Sequence, residues 1–234
     1  MSAANEIHPT AVLSDEVVIG EGNVVGAYSV ISGKTTIGNG NWIAPHVNIG
    51  SPPEDLSFRR SGEIPGEIHI GDENFIYEFT AVQAPTKQVT RIGSRCFIME
   101  KGHVAHDCWL EDEVVLAPSV CLGGHCFVGK SGFVGMGASI HQYVPVGGLA
   151  MVAMQATVTR PVLPFTMVVG QPARFRSLNH RGVERADWPS SSLSILETVV
   201  HEQDPSILSS FERQVWDRWE VHRREYERRA ASVG

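Results

Sequence analysis

Aliphatic residues recur every six positions along most of this chain. Stepping by six from Ile7 meets Leu13, Ile19, Val25, Ile31, Ile37, Ile43 and Ile49. A second run starts at Ile92 and meets an aliphatic at every sixth residue as far as Val158. Ile70, Ile76 and Val82 form a shorter run between them. Aliphatics are far too sparse in ordinary sequence for such runs to arise by chance. A period of six fits neither an amphipathic helix nor plain strand alternation. It predicts a hexapeptide-repeat solenoid, in which each hexad is one short strand and a turn, and three hexads, about 18 residues, close one triangular coil. Successive coils then stack at roughly 4.8 Å. The predicted fold class is all-β: a left-handed parallel β-helix with a small C-terminal α-helical domain.

The fifth residue of each hexad is also predicted to point inward and to be small. It reads Ala11, Val17, Asn23, Ser29 and Thr35 early in the chain. Cys96, Cys108 and Cys126 occupy it later, which favours packing over thiol chemistry for these three. The repeat breaks twice. Residues 51–67, rich in Pro, Gly and charge, and a shorter insertion near 84–90 read as external loops, the kind of segment that carries binding residues on a rigid solenoid. After Val158 comes a Pro-rich exit over 160–176. Two helices are predicted beyond it: one over LSILETVVHEQ, and a second starting near Asp204-Pro205, with Asp as cap and Pro at the first helical position. Ile207, Leu208, Phe211, Val215, Trp219 and Val221 are its expected sticky face. The division is therefore 1–172 for the prism and 173–234 for the helical domain.

Composition changes this picture little. Of 234 residues, 42% are hydrophobic, enough for a sizeable core. The net charge is −7 with no basic run, which argues against nucleic acid as a partner. No apolar stretch is long enough to span a membrane and the N-terminus lacks a signal-like pattern, so a cytoplasmic protein is expected. The four cysteines show no CxxC spacing, as expected of reduced thiols.

The candidate chemistry lies in histidines. Hexads starting at Val104, Leu122 and Ile140 are 18 residues apart and stack on one face. His106, His125 and His141 fall in these three hexads, and His103 sits just before the first. Four histidines are thus expected on one ridge. Two chemistries use such a set: general-base catalysis by a neutral imidazole, or a three-histidine zinc site. His106 and His125 occupy different positions within their hexads, which suits a base and a substrate contact better than a shared metal. Gly123-Gly124 precedes His125, and an amide N–H at such a corner can hold an oxyanion. Acyl transfer needs both a base and an oxyanion site.

IHPTAV at the start, GHVAHDC at 102–108, LGGH at 122–125 and GMGASIHQY at 135–143 resemble the acyl-ACP:UDP-N-acetylglucosamine O-acyltransferases of lipid A synthesis. The resemblance runs from residue 7 to about 185. It implies that His106 is the general base, Asp107 its orienting partner and the Gly124 amide the oxyanion donor. It implies that His103, His125, His141, Gln142 and Asp55 contact the substrates, and that Asn179 and Arg185 hold the nucleotide. It further implies a homotrimer with sites between neighbouring prisms, an acyl carrier protein or CoA as acyl donor, a nucleotide amino sugar as acceptor, and neither metal nor other cofactor. The family's loop lysine is replaced by Ser57, beside Glu54, with Arg59 and Arg60 close by. Arg181 and Ala186 also depart from the family pattern, and the tail is short. These changes fall on the nucleotide side, so acylation of a related sugar or amine is an alternative, as is a non-catalytic binding homologue. Met154 stands where long-chain members have glycine, which implies a medium-chain hydroxyacyl donor; plain core filling is the competing explanation of that methionine.

Overall fold

A computed structural model describes residues 4–87, 89–186, 192–202 and 204–233. The six-residue period becomes a parallel β-helix. Short strands, most of two residues, line up in three sheets of ten, eight and seven strands among the described residues. Each sheet takes every third strand, so one coil contributes one strand to each face. The register repeats the arithmetic of the sequence: Val104 pairs with Leu122 and Leu122 with Ile140, each a step of one coil. The hexad aliphatics Val104, Leu110, Leu116, Leu122, Val128 and Val134 are fully buried along the axis. The small fifth-position residues, including Asn23, Ser29, Cys96, Cys108 and Cys126, are buried with them.

The two interruptions are absorbed without breaking the sheets. Ile49 pairs with Val82 across the first insertion, which leaves the prism as a loop containing a short helix, α1 (Leu56–Ser61). Ile68 pairs with Thr90 across the second, which bulges out around Thr86 and Lys87.

The exit is more ordered than its proline content predicts. Strand Thr166–Val169 joins the first sheet in parallel, and Arg174–Leu178 returns antiparallel beside it, beyond the expected boundary at 173. An antiparallel closing strand needs no hexad aliphatic, so the period gives no warning of it. Helices α2 (His180–Arg185), α3 (Ser192–Glu202) and α4 (Ser210–Val233) follow.

The expected start of the last helix needs correction. Asp204 does accept a hydrogen bond from Ser206 N at 2.9 Å, but it caps a single 3-10 turn, Pro205–Ile207. The long helix begins five residues after Pro205, where the Glu212 carboxylate reaches back to Ser209 and accepts from its amide at 2.7 Å and from its hydroxyl. Its buried face is also shifted in phase. Val215, Trp216 and Trp219 are buried, whereas Val221, Ile207 and Phe211 are exposed.

Helix α4 lies across the outward face of the third sheet. His222 stacks on Phe127 at 3.8 Å and meets Trp109 edge-on at 5.4 Å. The Tyr226 hydroxyl donates to Thr159 O at 3.1 Å.

Candidate active site

The corner between the second and third sheets carries the histidines. At each coil the chain turns there through one residue in the left-handed backbone region: Asp107 (φ 58°), His125 (φ 61°) and Tyr143 (φ 64°). These three are the fourth residues of successive hexads, so their side chains form one column. The third residues, His106, Gly124 and Gln142, form a second column beside it. The sideways offset between His106 and His125 is what lets Asp107 sit between them.

Asp107 is the hub. Its Oδ2 lies 3.0 Å from His106 Nδ1 and 3.7 Å from His125 Nε2. The bulged segment reaches over to complete its shell: Thr86 donates to Oδ2 from Oγ1 at 2.7 Å and from its amide at 2.9 Å, and the Lys87 amide donates to Oδ1 at 3.1 Å. The Asp107 amide donates to the buried Thr90 hydroxyl at 2.9 Å. Burial alone would raise the Asp107 pKa, but the hydrogen bonds from His106 and Thr86 and the proximity of His125 outweigh it and hold the carboxyl well below the usual range. It is a carboxylate at any working pH.

His106 is buried, and its backbone is fixed as well as its ring. Its amide donates to Gln83 Oε1 at 3.3 Å, and its carbonyl accepts from the His125 amide at 2.9 Å. The carboxylate beside Nδ1 sets the tautomer with the proton on Nδ1, which leaves Nε2 unprotonated. The ring lies against Gly124: a Cβ there would come within 2.6 Å of Nε2. Gly124 is therefore required by the imidazole's position as well as by any oxyanion. Among the described residues, the buried Gly124 N–H has no hydrogen-bond partner.

His125 meets the His106 ring edge-on at 5.1 Å and stacks flat on Tyr143 at 4.3 Å. Burial, more than the opposing pull of Asp107, lowers its pKa to about 4, and nearby Lys87 and Arg229 act in the same direction. It is neutral near pH 7.

The other expected site residues are placed less centrally. His103 is half-buried on the outward face of the second sheet, and His141 is exposed, its Nδ1 3.2 Å from Gln142 O. Neither is drawn into the Asp107 hub, so the expected ridge of four histidines reduces to a tight pair with two outliers. Gln142 is exposed above Gly124. Asp55 is half-buried at the start of the first loop, and its charge is felt by the Tyr143 phenol. The Ser57 side chain lies outside the described residues.

Asn179 and Arg185 sit on a different edge. Asn179 is buried as the cap of α2, its amide donating to Leu149 O at 2.8 Å and its Oδ1 accepting from Gly182 N at 3.1 Å. With Arg185, Arg181, Lys130, Phe133 and Met151 it lines a cavity of about 670 Å³ on the outward side of the first sheet. Within one chain these residues do not meet His106. Met154 is 70% exposed at the corner between the first and second sheets, which removes the core-filling explanation.

Sequence reasoning missed Thr86, Gln83 and Tyr143. Gln83 also accepts from the Glu54 amide at 3.3 Å and so ties the first loop to His106. Tyr143 occupies the same hexad position as Asp107 and His125, which is the signal that could have found it. The rival zinc reading requires three imidazoles. The structure instead gathers His106, Asp107 and His125, with donor atoms within 4.8 Å of one another.

No family model matches the chain. It is 41% identical over 170 residues to an acyl-[acyl-carrier-protein]–UDP-N-acetylglucosamine O-acyltransferase of Synechocystis, covering 72% of this chain and 60% of that protein. The chain thus spans about three fifths of the length of that relative. A protein of the same name from Thiobacillus denitrificans is 38% identical over 212 residues, covering 82% of this chain and 81% of its own length. Among solved structures, a UDP-N-acetylglucosamine acyltransferase from Campylobacter jejuni superposes with a TM-score of 0.74 at 28% identity, covering 83% of each chain. One from Bacteroides fragilis gives 0.74 at 26% identity, over 91% of this chain and 88% of that one. Shared sequence over four fifths of a relative and a shared prism place the chain in the acyl-[acyl-carrier-protein]–UDP-N-acetylglucosamine O-acyltransferase family.

Proposed function

We propose that this protein transfers a medium-chain hydroxyacyl group from acyl-ACP to a hydroxyl of UDP-N-acetylglucosamine or a closely related nucleotide amino sugar. The observation that carries this reading is the His106 imidazole, tied through Nδ1 to an ionised Asp107 and pressed against Gly124, whose amide has no partner among the described residues. Base and oxyanion donor are adjacent.

The chemistry follows. His106 Nε2 accepts the proton of the sugar hydroxyl as its oxygen attacks the thioester carbonyl carbon. Asp107 stabilises the imidazolium that forms, and the Gly124 N–H donates to the carbonyl oxygen as negative charge builds on it. The tetrahedral centre collapses, the C–S bond breaks, and the imidazolium returns the proton to the thiolate. Neutral His125, with His103, His141, Gln142 and Asp55 around it, holds the acceptor.

The outward face of the second sheet supports a path for the acyl chain. Between the His106 corner and Met154 it carries small residues, Cys121, Ser139 and Thr157. Met154 stands between two and three coils further along, roughly 13 Å at strand spacing, and is read as the end of the groove.

The nucleotide half is read as contributed by a neighbour. The outward face of the first sheet is a continuous apolar stripe, Trp42, Phe75, Phe97, Val115, Phe133 and Met151, and it runs into the cavity of Asn179 and Arg185. A homotrimer that covers the stripe would bring a second chain's histidine corner to that cavity. Arg181, Arg185 and Lys130 line that cavity with Glu113, in a chain of net charge −7, a mainly cationic lining suited to the phosphates of a nucleotide or of the carrier's prosthetic arm. Among the described residues no helix is long and apolar enough to cross a membrane.

The test is direct assay of the purified protein with hydroxyacyl-ACP donors of graded length and UDP-, dTDP- and GDP-amino sugars. His106→Ala should lose on the order of a thousandfold or more in kcat. Undiminished transfer by that variant, or no transfer by the parent to any acceptor, would overturn the proposal.

A further inference from the structure

Helix α4 lies beyond the stretch of sequence that carries the family resemblance, yet its last turns arrive at the candidate active site. Arg229 places its guanidinium 4.8 Å over the Tyr143 ring. Glu225, one turn earlier, aims it: Arg229 Nε and Nη2 each donate to Glu225 Oε1 at 3.3 Å. Tyr143 in turn stacks on His125 within 5° of parallel, and His125 presents Nε2 towards Asp107. A layered column therefore runs from a cation on the tail, through two stacked rings, to the carboxylate that orients the base. Its members run from residue 107 to residue 229 of the chain.

We infer that Arg229 is a positioning residue of this centre: seated by α4, it holds Tyr143 as a plate against which His125 is clamped beside Asp107. The face of a tyrosine ring attracts a cation, and a ring held on both sides cannot turn. An unclamped His125 could rotate away from the acceptor, or swing towards Asp107 and compete with His106 for its carboxylate. The charge of Arg229 works in the same sense. Burial keeps His125 neutral, and His106, Lys87 and Arg229 reinforce this against the pull of Asp107. A neutral His125 leaves Asp107 to His106. The tail thus completes the site as well as covering the third sheet.

The kinetic half of this inference rests on the acyl-transfer reading, so the experiment has a second arm that needs no substrate. Arg229→Gln, Arg229→Lys and Tyr143→Leu are compared with Arg228→Gln, a control one residue away whose partner is also Glu225. Arg229→Gln and Tyr143→Leu should each lower kcat about tenfold with little change in KM for the acyl donor. Arg229→Lys should recover most of that loss, because an ammonium also binds a ring face. Arg228→Gln should match the parent. In the second arm, the histidine ring resonances are titrated by NMR: the His125 midpoint should move upward in Arg229→Gln and stay in place in Arg228→Gln. Should the parent show no acyl transfer, the functional reading fails and the titration decides the inference alone. Equal behaviour of Arg229→Gln and Arg228→Gln in the titration, or in kcat where transfer is measurable, overturns it.

Discussion

A methyl group on residue 124 would have to share space with the His106 ring, at 2.6 Å from Nε2. The imidazole cannot give way easily, because Asp107 holds Nδ1 and Gln83 holds the His106 amide. Gly124→Ala should therefore push the ring off the corner. We expect kcat to fall by about a hundredfold or more, since a displacement near 1 Å suffices for that. We expect stability to fall by about 1–3 kcal/mol, the usual cost of overpacking. A steady-state assay and a denaturant melt check the two effects separately, and a Gly124→Ala variant with parental kcat would show that His106 is not the base. Much of this site was legible in the chain. The hexad count put His106, Gly124 and His125 on one corner, and Asp107 followed from the family motif. The count could not place Thr86, because it sits in an insertion that leaves the period. It could not separate His103 and His141 from the pair gathered around Asp107 either. Hexad position fixes a residue's place on the prism but not where its side chain swings.

At the scale of elements, the strands were readable because burial on a narrow prism admits only aliphatics at the inward position. Helix α4 was read less well. Apolar character alone puts Val221 on its inner face, but docking on the curved third sheet selects Val215, Trp216 and Trp219 and leaves Val221 outside. His222, which that criterion omits, lies at the centre of the contact, stacked on Phe127. Burial lowers its pKa to about 4, with only a partial offset from Glu225. The sign of the consequence is fixed by linkage. An unfolded histidine takes up a proton near pH 6.5, whereas the folded one resists it until about pH 4. The stabilisation is thus complete above pH 6.5 and is lost as pH falls towards 4. His222→Phe keeps a flat ring against Phe127 and removes the titration. Its thermal midpoint should drop less than the parent's between pH 7 and pH 5, with the remainder due in part to His125, which is shifted the same way. Parallel pH profiles for the two proteins would mean that His222 does not hold the helix in the way described.

At the scale of the whole molecule, the proposed function draws on two groups of residues that one chain carries on different edges. The histidine corner lies between the second and third sheets, while the cavity with Asn179 and Arg185 lies on the first. A rigid prism cannot fold one edge onto another, so the proposed function requires these two groups to meet across an interface, for which the apolar stripe on the first sheet is the candidate. This makes a sharp prediction about mixtures. His106→Ala removes the base and leaves the cavity intact; Arg185→Ala does the reverse. Each homotrimer should be nearly inactive. When the two chains are co-expressed and assemble at random, a site works only if a chain with His106 faces a neighbour with Arg185. In a closed three-fold ring each condition is met half of the time, so about a quarter of the sites should recover. Phe133→Asp, placed in the stripe, should abolish the recovery and shift the sedimenting species from trimer to monomer, because a buried unpaired charge at an apolar interface is costly. Co-expressed chains that stay as inactive as their parents would mean that both halves act within one chain, and that the trimeric arrangement of the site is wrong.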